Sequence, residues 1–159
     1  MYNKPVEMKD RSNAIMLPPF IYLGGFFVGL ALHFFFPQYI VAQPIASILG
    51  AIFVTISIPI IVLSMRGLSS AGTAIDVRKP TTAIVASGMY RFSRNPIYLA
   101  MTFLYVGVAL LLNSLTALVM LLPVLMVMHF GVIAREEKYL EQKFDDEYMR
   151  YKKSVRRWI

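Results

Sequence analysis

Hydrophobic positions along the chain fall in three long blocks, and every charged residue lies outside them. The first block extends from about Leu17 to Phe36, the second from about Pro44 to Met65, and the third from about Ile97 to Ile133. A helix needs about 20 apolar residues to cross a hydrocarbon core, so the first two blocks predict one span each. The third, at 37 residues, is long enough for two passes, and Asn113-Ser114 near its middle supplies a polar turn. It reads as a helical hairpin with arms over 97–112 and 115–133. Arms of 16 to 19 residues are short for a span, which implies local thinning of the bilayer or support from flanking residues. The predicted fold is an all-α integral membrane protein with four transmembrane helices. It forms one membrane domain over 1–159, with a cytoplasmic loop at 66–95 and a C-terminal amphipathic helical segment at 134–157.

Composition agrees with that class. With 57% hydrophobic and 13% aromatic residues and a mean hydropathy of +0.60, the chain is too apolar for a soluble domain. All 16 Lys and Arg and all nine Asp and Glu lie before Leu17, between Arg66 and Arg94, or from Arg135 onward. With four spans every charged segment falls on one side, which the positive-inside bias makes cytoplasmic, together with both termini. The net charge of +7 then reads as anchoring at anionic headgroups and not as affinity for nucleic acid. The absence of cysteine excludes disulfides, thiolate metal sites and a cysteine nucleophile. The polar start Met1 to Asn13 leads straight into a full-length span, with no prominent cleavage site, so no cleavable signal peptide is expected.

Three segments outside the spans carry further information. The connection from Arg66 to Ser93 is long for a structureless loop, and such loops often serve as lids. Within it the apolar run Ala83-Ile84-Val85-Ala86 is expected to tuck over a polar site. Beyond Arg135, the residues Leu140, Phe144, Tyr148, Tyr151 and Val155 form one stripe of an amphipathic helix. Asp145-Asp146-Glu147 interrupts the stripe, and Asp145 is expected to cap a second short helix. Lys152, Lys153, Arg156, Arg157 and Trp158 read as a basic, aromatic interfacial anchor. In the first span, Gly25 and Gly29 form a GxxxG pattern that suits either dimerisation or close packing inside the bundle, so the oligomeric state stays open.

Conventional catalytic devices are scarce. The chain has no GxGxxG or GxxxxGK[ST] run, and its two histidines lie in different spans, so neither a Rossmann site nor a histidine metal cluster is indicated. His33 near the far end of the first span reads as structural or interfacial. His129 lies near the charged end of the fourth span, and Glu136, seven residues on, returns to within about 20° of its direction on a regular helix. Pro96 suits a first helical turn and biases Asn95 away from helical geometry. Ser93 and Asn95 are then N-cap elements, and the free N–H groups of that turn can receive a carboxylate. The hairpin returns Glu136-Glu137 to the side where Arg94 stands, with Tyr98 across the opening. A polar site closed at a membrane surface suggests chemistry on a lipid.

The ordered set Gly88 to Tyr98, a hairpin, Arg135-Glu136-Glu137-Lys138-Tyr139-Leu140, then Phe144, Tyr148, Tyr151 and Val155-Arg156 resembles the isoprenylcysteine carboxyl methyltransferase family. It is also similar to the related membrane phospholipid methyltransferases. The resemblance runs from about Ala71 to Trp158. It implies S-adenosylmethionine-dependent methyl transfer in a cytoplasm-facing pocket, to a lipid or small hydrophobic acceptor entering from the bilayer. Carried over by position, the cofactor would be held by Thr82, Ala83, Ile84 and Val85, by Tyr90, by Asn95, Pro96, Ile97 and Tyr98, and by Glu136 with Glu137, His129 sharing the face of Glu136. Direct displacement requires no metal, and Tyr98, Glu136 and Glu137 are the candidates for a catalytic role.

Three departures stand out. Val132 occupies the position, one turn before the glutamate pair, where the carboxyl methyltransferases carry a basic residue that contacts the acceptor. The family's usual Phe-Gly is Phe144-Asp145, and Asn95 replaces a frequent His. The rival readings are an NADPH-dependent sterol-type membrane reductase and a small four-helix transporter. Against the transporter, no span has a charged residue in its interior.

Overall fold

The computed structural model describes residues 10–159, and among these every regular element is helical. Helix α1 spans Pro18–Phe35, α2 Gln43–Ser70, α3 Pro96–Leu111, α4 Leu115–Val127 and α5 Ala134–Ser154. A single 3-10 turn at Gly88–Arg91 precedes α3, and a π-helical segment at Met128–Ile133 joins α4 to α5 without a break. Three helices are long and apolar enough to cross a membrane: α1, α2 and the continuous rod that begins at Leu115. The fourth, α3, is apolar but shorter.

Small residues set the packing. Helix α2 lies along α3, where a Cβ on Gly50 would come within 2.8 Å of the Gly107 carbonyl and one on Gly107 within 2.9 Å of the Val54 nitrogen. The two backbones therefore touch, as in close membrane-helix pairs. Helix α1 lies along α4, where a Cβ on Gly29 would stand 2.5 Å from the Ala117 Cα. Gly25 likewise faces Val124, so both glycines of the GxxxG pattern are occupied inside the chain's own bundle. Helices α1 and α2 are not packed on one another, each resting on one arm of the hairpin.

The two ends of the bundle differ in chemistry. At one, Asn113 takes a positive φ of 49° and ties the hairpin turn to the α1–α2 connection. Its Nδ2 donates to the Val41 carbonyl at 2.8 Å and its Oδ1 accepts from the Ile40 N–H at 2.9 Å. Ser114 then caps α4 by accepting from the Ala117 N–H. At the other end Ile15 N–H donates to the Gly131 carbonyl and Arg135 donates to the Asn13 carbonyl. That end gathers the charged residues.

Several boundaries differ from the sequence reading. Helix α2 continues to Ser70 because its last turns still have a surface to cover: Gly67 and Leu68 pack against the Tyr90, Tyr148 and Tyr151 cluster. Leu140, Phe144 and Val155 of the predicted stripe pack on the same cluster. The C-terminal helix kinks at Asp145, whose φ of 40° and ψ of −116° leave the helical basin at the position where the resemblance places a glycine. It ends at Ser154, short of the expected 157, as Val155 turns to extended backbone. The basic tail is only partly an outward anchor, since Trp158 packs on the Met128 and Val132 core and Arg157 turns inward.

Candidate functional site

Helix α3 begins at Pro96, and its second residue beyond, Tyr98, is buried at the charged end of the bundle. Its backbone is held from behind, where Tyr22 Oη donates to the Tyr98 carbonyl at 3.2 Å and shares a 2.9 Å hydrogen bond with Thr102 Oγ1. Its own hydroxyl reaches across the hairpin and donates to Glu136 Oε2 at 2.9 Å. Among the described residues this is the one hydrogen bond Glu136 receives, and its other oxygen is left to the cavity. Removal from bulk water raises the Glu136 carboxyl to about 7; the Tyr98 hydrogen bond works against that shift and the Glu137 charge adds to it.

Glu137 is in the opposite situation. Its side chain is 8% exposed and meets two guanidinium groups. Arg94 Nη2 lies 3.1 Å from Oε1. Arg157 forks onto both oxygens, with Nε 2.9 Å from Oε1 and Nη2 2.6 Å from Oε2. A buried carboxylate needs such partners, and the bidentate fork is the strong form of the pair. Arg94 also donates from Nη1 to Tyr148 Oη, while its Nε is buried with no partner among the described residues. Burial, with the Glu137 charge adding, raises the Tyr148 phenol to about 12, so it stays protonated.

These groups line a cavity of about 440 Å³, within the roughly 300–1,000 Å³ of small-molecule sites. Ala83, Ile84 and Val85 form one wall, Tyr90 with Asn95 to Tyr98 a second, and Glu136 with Glu137 a third. An apolar arm lined by Leu17, Pro18, Met65, Leu68 and Met101 runs between α1 and α2. The loop that roofs the cavity begins and ends at glycines with positive φ, Gly72 at 66° and Gly88 at 59°, where a side chain would be strained. Polar ties hold it down: Ser12 Oγ donates to the Val77 carbonyl, and Thr81 N–H donates to Tyr139 Oη at 3.2 Å. Tyr139 Oη in turn donates to Asp10.

Four expected residues are placed differently. Thr82 does not line the cavity: its N–H donates to Thr73 Oγ1 and its hydroxyl to the Gly72 carbonyl, which stabilises the loop itself. His129 does not line it either, and Arg157 Nη1 lies 3.1 Å from its Nε2. The seven-residue count from His129 to Glu136 assumed regular α-helix, whereas the intervening π turns are wider and advance less angle per residue. Ser93 and Asn95 make no side-chain cap on α3. Asn95 Nδ2 donates to the Arg157 carbonyl at 3.0 Å, and Ser93 Oγ donates to the same carbonyl at 3.2 Å. The role of Arg157 was missed in the sequence. Its inward turn rests on tertiary contacts with Glu137 and His129, which no local run of residues announces.

A buried carboxylate, a buried guanidinium and several tyrosines thus surround one cavity at the charged end of an apolar helical bundle. The chain matches the family described as phospholipid methyltransferase over residues 45–147, more than half of its length, and belongs to that family. It is 30% identical to the protein-S-isoprenylcysteine O-methyltransferase of Saccharomyces cerevisiae over 129 residues, which cover 77% of this chain and 54% of the yeast protein. It is also 55% identical over 47 residues to an uncharacterized protein of Haemophilus influenzae, a stretch covering 30% of this chain and 73% of that one. The chain thus spans about half the length of the yeast relative. No solved structure gives a significant match. Membership of this family sets aside the reductase and the transporter.

Proposed function

We propose that the protein is an integral membrane methyltransferase that uses S-adenosylmethionine and methylates a lipid or isoprenoid-like acceptor drawn from the bilayer. In this reading α1, α2, α3 and the α4–π rod all span the membrane, and the charged end faces the cytoplasm. The observation that carries it is the cavity itself. Glu136, paired to Tyr98, and Arg94 line one space that continues into an apolar arm between α1 and α2.

The residues present suit the donor part by part. A sulfonium cation favours a carboxylate and aromatic faces, which Glu136, Tyr90 and Tyr98 provide. An α-carboxylate suits Arg94 and the uncapped first turn of α3. The backbone and side chains of Ala83 to Val85 give an apolar edge for a purine. When bound, S-adenosylmethionine supplies an electrophilic methyl group that transfers by direct displacement. The chain's own contribution is alignment of acceptor and donor in a space partly walled by the loop, and such alignment can supply much of the acceleration. Glu136, with a carboxyl near 7, can also take a proton from an amine or hydroxyl acceptor. Val132 is fully buried in the core, and the residues of the arm are apolar. Among the described residues the arm offers no cation to a prenylated cysteine carboxylate, so a neutral or amine-bearing acceptor fits better.

Incubating the purified protein in a native lipid extract with label-bearing S-adenosylmethionine tests this directly. Label in a lipid fraction, with the product identified by mass spectrometry, is the expected result. Label in no lipid class, with labelled donor recovered intact, would overturn the proposal.

A further inference from the structure

Arg157 holds an unusual position, because it touches both sides of the site without lining the cavity. Its guanidinium forks onto Glu137 and reaches His129. Its carbonyl accepts from Ser93 Oγ and Asn95 Nδ2, and the neighbouring Arg156 carbonyl accepts from the Arg94 N–H at 3.0 Å. The extended strap after α5 therefore ties the turn before α3 to the start of α5.

Glu137 has a further consequence for Arg94. The carboxylate has two oxygens, and Arg157 engages both, so Arg94 is left with one 3.1 Å contact through Nη2. Arg94 nonetheless lines the cavity, its Nη1 donating to Tyr148 Oη, itself a lining residue, and its Nε buried with no partner among the described residues. Were Arg157 absent, Glu137 would still be buried, and Arg94 would be the nearest group able to neutralise it, since Lys152 is 4.0 Å away and already bound to Glu141. A planar fork is drawn readily into a bidentate pair with a carboxylate.

We infer that Arg157 is a positioning residue for the donor cavity: by saturating Glu137 it keeps Arg94 available to the anionic end of the bound donor. The inference rests on the donor reading above and adds a residue outside the cavity to it.

The test is the affinity of S-adenosylhomocysteine, measured by calorimetry on the full chain in detergent, for wild type and four variants. Arg157→Ala should weaken binding roughly tenfold, the lower end of what outer-shell partners contribute in metal sites. Arg157→Lys, which keeps charge but not the fork, should fall between the two and carries the test if the alanine variant does not fold. Arg156→Ala, whose side chain is exposed, should bind like wild type. The informative variant is Arg157→Ala with Glu137→Gln, in which the uncompensated charge is gone and Arg94 is released. It should bind more tightly than Arg157→Ala alone, whereas a merely structural role for Arg157 makes the double variant the weaker of the two. Wild type that binds while Arg157→Ala and Arg157→Lys match it overturns this inference alone, as does a double variant no tighter than the single. Wild type that fails to bind overturns the donor reading as well.

Discussion

Adjacent glutamates have been given opposite environments. Glu137 is saturated by two guanidinium groups, while Glu136 receives one phenol hydrogen bond and keeps an oxygen free. The difference predicts opposed effects of a single substitution. The folded-state carboxyl of Glu136 stands near 7 against an ordinary 4.5, so between those values the folded protein holds a proton that the unfolded chain has lost. Its contribution favours the fold below about 4.5 and fades as pH rises through about 7. Glu136→Gln should therefore match wild type in thermal stability at pH 4.5 and exceed it at pH 8, by no more than about 3 kcal/mol for a shift of this size. The same variant should bind S-adenosylhomocysteine more weakly, as should Tyr98→Ala. Melting curves at the two pH values and calorimetry check both halves, and equal stability at pH 8 would remove the buried-charge argument.

At the level of elements, the bundle depends on helices whose backbones touch, and glycine is what lets them. Gly29→Leu and Gly107→Leu would each drive a side chain into a neighbouring backbone and should cost about 1–3 kcal/mol or more of stability. Gly24, one residue from Gly25, has nothing within 4 Å of its would-be Cβ, and Gly24→Leu should be neutral. Thermal melts of the three variants in one detergent separate a packing role from a simple loss of helix propensity, because all three remove a glycine from a helix interior. The elements themselves were largely legible because each has a local cause. The length of the third apolar block with Asn113 at its centre demanded a hairpin, and that hairpin brings Tyr98 to Glu136. The π turns at Met128–Ile133 were not legible, since no residue pattern there differs from ordinary helix, and they carried His129 out of the expected alignment. Arg157 was hidden for another reason. Its inward turn depends on Val155 becoming extended and on Glu137 needing a second cation, and both are tertiary facts.

On the scale of the molecule, the cavity draws on the N-terminal lead, α1, α2, the roofing loop, α3 and α5, so a ligand that fills it should stabilise the whole. Saturation with S-adenosylhomocysteine at about a hundredfold over its dissociation constant should add roughly 2.7 kcal/mol. NADPH at the same concentration should leave the melting temperature unchanged, and a shift with NADPH in place of S-adenosylhomocysteine would reassign the cavity.

The strap at Arg156 and Arg157 has a consequence for biogenesis. The turn before α3 finds its hydrogen-bond acceptors on residues made some 60 positions later. A ribosome that has delivered all the hydrophobic helices has therefore still not delivered a finished pocket. Nascent chains arrested before Arg156 should be lodged in the membrane yet unable to retain the donor, so the enzyme stays silent until the strap has emerged and folded back.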